Sequence, residues 1–264
     1  MKITQTELPG LLLIEPDVFR DERGYFCETY NEAKLSQLGF TQNFVQDNES
    51  KSSKGVLRGI HFQKPPFAQA KLVRVVSGSV IDFAVDLRKG SPTYGKYKAV
   101  KLDAEKKNML YLPEGFGHAF VSLEDNTIFS YKCSNFYNKE SESGILFSDP
   151  DLAIDWQIEN PILSDKDKIL PCFKDFDSPF TLRKCAACAI MGACRMLPAD
   201  RSDTHGNVDG GKAEAVVMES GAEGGQGGFH RRAGGAVHPG DDPGGGGLVR
   251  GSGAAAQCGG RADP

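Results

Sequence analysis

Aromatic side chains, the largest units from which a core can be built, fill 23 of their 24 places within the first 182 residues, and Phe229 alone lies beyond. Glycine runs the other way, with 20 of 31 in the last 82 positions. A chain so divided in its means of burying surface reads as two regions, a folded body over 1–182 and a Gly-rich low-complexity tail over 183–264. Runs such as GAEGGQGG at 221–228 and DDPGGGG at 241–247 carry neither helical nor strand periodicity. They bury too little apolar surface to offset backbone entropy, so the tail is expected to be disordered. The formal charge of −4 sits in the body, where 22 Lys and Arg oppose 26 Asp and Glu, while the tail holds nine of each.

Several function classes fall away on these grounds. No run of Lys or Arg offers a footprint for nucleic acid, and no apolar segment reaches the 18 residues of a membrane span. The opening MKITQTE lacks the apolar region of a signal peptide, so a cytoplasmic protein with no membrane partner is expected. Cys27, Cys133 and Cys172 stand singly in the body, and Cys185, Cys188, Cys194 and Cys258 in the tail. An odd count in such a chain argues against a disulfide framework. The tail C-x-x-C lacks a supporting turn and a near fourth ligand, which argues against a metal knuckle.

The body alternates short β-rich segments with turn signals, the pattern of an all-β sandwich or barrel. Strands are expected over 11–15, 25–30, 44–50, 56–63, 70–77, 79–88, 97–102, 108–112, 117–122 and 126–136, with a tight hairpin at Gly78. One short helix is expected over 31–38, capped by Asn31 and closed by Gly39. Face parity then speaks to chemistry. Gln46, Asn48, Ser50 and Ser52 line one side of their strand, a row of neutral hydrogen-bonding groups suited to a polar cavity wall or to a solvated face. Lys71 shares a face with Val73 and Val75, which suggests a lysine held inside for a reason. The body has two histidines, His61 in LRGIHFQ at 57–63 and His118 in PEGFGH at 113–118. Trp156 and Phe147 read as packing, and Gly115-Phe116-Gly117 as a turn rather than a phosphate loop, because no helix follows.

The P-x-G-x-x-H stretch resembles the second motif of the cupin superfamily, a jelly-roll or double-stranded β-helix barrel. The first cupin motif supplies two His and a Glu to a metal, but here it reads His61-Phe62-Gln63 with no acid before Lys71. No metal centre is therefore expected. A closer match follows from DERGYFCE at 21–28, QDNES at 46–50, LRGIHFQ at 57–63, AQAKLV at 68–73, VDLR at 85–88, PEGFGH at 113–118 and LSDKD at 163–167. In order and spacing these resemble the dTDP-4-dehydrorhamnose 3,5-epimerase family over residues 1–182. The tail has no counterpart there.

Inverting a carbon beside a ketone means taking its proton on one face, holding the enolate and returning a proton on the other. An imidazole, with an ordinary pKa of about 6.5, suits the base, and His61 is assigned to it. The resemblance pairs His61 with Asp167 and makes Tyr131 the acid on the second face. Lys71 suits the enolate oxygen. The implied substrate is dTDP-4-dehydro-6-deoxy-D-glucose, whose diphosphate calls for fixed cations: Arg23 and Arg58, with His118 and Lys166 as further donors. Tyr137 shares strand parity with Tyr131 and is expected beside it in the sugar pocket. Glu28, Gln46, Asn48 and Glu142 match family positions that contact nucleotide or sugar. No cofactor is implied. A homodimer is, with Arg23 and Glu28 reaching across the interface.

Strict alternation sets Arg58 and His61 on opposite faces of one strand, yet the resemblance needs both in one cavity. An irregularity is therefore expected there, a bulge or twist at Gly59 or a strand end. Two alternatives stay open on the residues alone. One is a single-centre epimerase or 3,4-ketoisomerase acting on a related keto sugar. The other is a catalytically silent cupin that binds a nucleotide sugar.

Overall fold

The computed structural model describes residues 1–182. The expectations for 183–264, disorder and the four tail cysteines included, lie outside the described residues. In chain order the strands are β1 (Lys2–Gln5), β2 (Leu12–Glu15), β3 (Val18–Asp21), β4 (Gly24–Cys27), β5 (Gln46–Ser52), β6 (Leu57–Gln63) and β7 (Lys71–Ser77). There follow β8 (Ser79–Asp86), β9 (Tyr97–Asp103), β10 (Met109–Leu112), β11 (Phe116–Ser122), β12 (Thr127–Cys133) and β13 (Glu142–Gly144). One sheet runs β1-β2-β10-β7-β12-β5, a second β13-β6-β11-β8-β9, and β3 with β4 forms a separate ribbon. The ladders are antiparallel, and from β5 onward the chain crosses between sheets at almost every step. This is a jelly roll of the cupin type, the expected fold.

Why the sheets close on each other follows from which faces are apolar. Between them, Val73, Val75, Leu110 and Phe129 of the first sheet pack with Val80, Ala84, Phe116 and Phe120 of the second. Outside the second sheet, Phe83, Val85 and Phe62 pack beneath Trp156 and Phe180 from the C-terminal segment. Phe147 lies partly buried on that cluster, and its carbonyl accepts from Trp156 Nε1 at 2.8 Å, the packing role expected of both. Outside the first sheet, Leu72, Met109 and Tyr111 are covered by Leu35 and Phe40. Leu35 belongs to α1 (Glu32–Gln37), whose cap Asn31 accepts from the Lys34 N–H at 3.0 Å as the sequence implies.

Two expectations need correction. Gly78 does not make a hairpin. β7 pairs with β10 and β12 while β8 pairs with β9 and β11, so Gly78 is a corner between sheets. Its φ of +79°, and a Thr127 Oγ1 that would lie 2.5 Å from any added Cβ, require glycine there. Residues 25–30 do not form one strand: β4 stops at Cys27, and its partner β3 was not expected. Cys27 and Cys133 are free.

Candidate active site

The irregularity expected at Gly59 is present, and it builds the site. Along the β6–β11 ladder His61 pairs with His118 and Arg58 with Phe120, so three steps on one strand match two on the other. The extra residue turns Arg58 to the face that carries His61. Gly59 sits at φ +135°, and a Cβ there would fall 2.3 Å from the Ala119 Cβ. Arg58 then spans the open edge of the barrel to β5, its Nε donating to Ser52 Oγ at 3.2 Å and its Nη2 to the Lys51 carbonyl at 3.2 Å.

His61 is half-buried, and its Nε2 lies 2.6 Å from Oδ1 of the buried Asp167. Asp167 opens a short 3₁₀ turn (Asp167–Ile169) in which Ser164 Oγ accepts the Asp167 N–H at 3.2 Å, a local serine turn that aims the carboxylate. Burial pushes the Asp167 carboxyl up. The bonds from His61 and Ser164 and the nearby Lys166 charge outweigh it and hold the group below its ordinary range. With Nε2 committed to the carboxylate, Nδ1 is the ring nitrogen left to take a proton.

The facing wall belongs to the first sheet. Rows run across β5, β12 and β7: Asn48, Tyr131 and Val73 in one, and Gln46, Cys133 and Lys71 in the next. On β5 the even positions are the more buried, as a cavity wall requires. Lys71 lies on the valine face with its ammonium 5.8 Å from the centre of the Tyr131 ring. Burial lowers its pKa, opposed by Cys133, Asp82 and Glu142. Burial raises the Tyr131 phenol, aided by Cys133 and Glu142 and opposed by Arg58. At the rim Glu142 bonds Lys166 at 2.5 Å and accepts the Tyr137 hydroxyl at 3.1 Å.

Two expected residues stand apart within the chain. The Arg23 side chain is largely exposed and pairs with Asp21 at 2.5 Å, and Glu28 pairs with Lys34 at 2.8 Å. His118 is buried, with Nε2 2.9 Å from Asp82 Oδ2 and its ring stacked 5.9 Å from Phe129. Asp82 and Gln63 were missed by sequence reasoning. Asp82 shares its strand face with the lumen residues Val80 and Ala84, the same parity signal that singled out Lys71. Among the described residues, no group of three or more His, Cys, Asp or Glu is arranged to hold a metal ion.

A jelly-roll barrel whose lumen faces a His–Asp pair with a lysine and a phenol defines a class: cupin-fold enzymes equipped for proton transfer. The chain belongs to the dTDP-4-dehydrorhamnose 3,5-epimerase family, whose model matches residues 5–175. It is similar to the dTDP-4-dehydrorhamnose 3,5-epimerase of Shigella flexneri, 54% identical over 168 residues that cover 63% of this chain and 93% of that one. The crystal structure of the enzyme of that name from Elizabethkingia anophelis NUHP1 is 55% identical with a TM-score of 0.63, covering 66% of this chain and 97% of that one. A dTDP-6-deoxy-D-glucose-3,5-epimerase from Legionella pneumophila Philadelphia 1, solved with dTDP-4-keto-L-rhamnose, is 43% identical with a TM-score of 0.66, covering 70% and 99%. Among the described residues no helix is long and apolar enough to cross a membrane.

Proposed function

We propose that this protein inverts C3 and C5 of dTDP-4-dehydro-6-deoxy-D-glucose to give dTDP-4-dehydro-L-rhamnose. The observation that carries this reading is His61 of β6 paired at 2.6 Å with Asp167 of the 3₁₀ turn, with Lys71 and Tyr131 on strands of the facing sheet. His61 Nδ1 takes the proton from the carbon beside the ketone. Asp167 holds the tautomer and balances the imidazolium. The electrons move into the carbonyl, and the Lys71 ammonium meets the oxygen as it becomes negative. Tyr131, whose raised pKa keeps it a phenol, gives its proton to the same carbon from the other side. It then regains a proton from solvent as the His61 imidazolium releases one, which restores both groups.

Arg58, Lys166 and His118 are proposed as donors to the nucleotide sugar, and Gln46, Asn48, Glu142 and the exposed Tyr137 ring as its further contacts. Arg23 and Glu28 join them only from a second copy, so a homodimer is part of the reading. Its support is the β3–β4 ribbon, where Phe19 and Phe26 are 64% and 67% exposed and stack 6.5 Å apart. The location proposed is cytoplasmic, on the sequence reading. Residues 1–182 are proposed to carry the whole activity, so removing 183–264 should leave turnover and thermal midpoint unchanged, and a collapse of either would contradict this. The reaction itself is tested by incubating the keto sugar with the protein in D₂O. Deuterium at both C3 and C5 supports double inversion. Label at one carbon points to a single-centre epimerase, and label at neither to a binder.

A further inference from the structure

The segment 134–141, between β12 and β13, has no regular structure, yet side-chain amides from elsewhere hold its backbone. Gln63, 5% exposed, is the centre of this clamp. Its Nε2 donates to the Phe67 carbonyl at 2.7 Å and the Phe136 carbonyl at 3.1 Å. Its Oε1 accepts the Asn138 N–H at 2.7 Å. One side chain thus grips the peptide groups on both sides of Tyr137. Gln46 Oε1 accepts the Tyr137 N–H itself at 2.9 Å, and Gln69 Nε2 donates to the Asn135 carbonyl at 2.7 Å. The Tyr137 hydroxyl donates to Glu142, which is the register partner of Gln63 on β13.

The Tyr137 ring is 56% exposed, so packing contributes little to its position. Its place is fixed through the backbone and the hydroxyl instead. An exposed aromatic ring held this way is a flat surface prepared for a planar ligand group before binding, which reduces the ordering cost of association. Gln63 lies two residues beyond His61 on β6, and side chains at that spacing share a face. One strand therefore carries both the base and the anchor of the ring.

We propose that Gln63 is a positioning residue for nucleotide recognition, acting through Tyr137 and setting it in register with His61. This rests on the nucleotide-sugar reading above. The test is calorimetric titration of dTDP into the full chain, with kinetics on the keto sugar, for wild type, Gln63→Met, Tyr137→Ala and the double variant. Methionine keeps the length and bulk of the side chain and removes its three hydrogen bonds.

Gln63→Met is expected to weaken dTDP binding and raise KM by about tenfold each, with kcat within about threefold. In the Tyr137→Ala background the same change should cost less than about twofold, because the ring it serves is gone. Unchanged dTDP affinity in Gln63→Met, or an equal loss with and without Tyr137, would overturn the proposal while leaving the substrate reading standing. A wild-type chain that binds no dTDP would overturn both. If Gln63→Met does not fold, Gln69→Met frees the same segment at Asn135, and the same dependence on Tyr137 decides the outcome.

Discussion

The two histidines of the body are register partners on adjacent strands, and each faces a carboxylate: His61 with Asp167 at 2.6 Å and His118 with Asp82 at 2.9 Å. Their surroundings make them different groups. The His61 side chain is 30% exposed, against 9% for His118. Asp167 has enough hydrogen bonds and nearby positive charge to stay ionised despite burial. Asp82 does not. Its Oδ1 has no hydrogen-bond partner, and burial raises its pKa against the pull of His118 and Lys71. Burial likewise pushes His118 down, although Asp82 favours its charged form. A His–Asp pair is thus not a function in itself: exposure and the donors around the carboxylate decide whether it is poised to move a proton or held as a fixed part of the cavity wall.

The sharpest way to break this contrast is to remove each imidazole in turn. His61→Ala should lower turnover by about 10²–10⁴-fold, with dTDP affinity within a few fold, because a proton-transfer group acts mainly in the transition state. His118→Asn should cost about tenfold at most in turnover and appear instead as a lower thermal midpoint, since it strands the buried Asp82 carboxyl. Equal kinetic losses at both sites would refute the distinction.

Next in size is Asp167→Asn, expected to cost about 10–100-fold in kcat through a disfavoured His61 tautomer, with little change in KM. Gly59→Ala probes the backbone that places His61. A Cβ there meets Ala119 and the His118 carbonyl, so a loss of about 3–5 kcal/mol in chemical denaturation is expected.

The smallest effect is on pH dependence. The groups around Lys71 are Cys133, Asp82, Glu142 and Tyr131. Burial lowers the pKa of Lys71 and raises that of Tyr131, each by disfavouring the charged form. Activity that needs the ammonium is present below its depressed pKa and lost as pH rises through it. The alkaline limb of kcat should therefore fall below the ordinary lysine value of about 10.4. Lys71→Arg should move that limb upward, and an unmoved limb would show that another group sets it.

Much of this was legible from residue order. Two-residue alternation is dictated by strand geometry, so the shared face of Gln46, Asn48, Ser50 and Ser52 and the placement of Lys71 among valines followed directly, while the direction in which that row faces came only with the fold. The conflict between Arg58 and His61 pointed to an irregularity at Gly59, because strict alternation could not bring both to one face. What escaped were features set by distant parts of the chain. A turn glycine shows that the chain reverses but not which strands then pair, hence the corner at Gly78. A strand of three residues such as β13 carries too little period to register. Gln63 looks like any polar strand residue until the loop carrying Tyr137 folds onto it.

The arrangement across the barrel is tested most directly by Tyr131→Phe incubated with the keto sugar in D₂O and followed by NMR. If His61 serves one face and Tyr131 the other, the recovered substrate should gain deuterium at C3 or C5 while the inverted product stays absent or falls at least about a hundredfold. Wild-type rates of inversion in that variant would contradict the account.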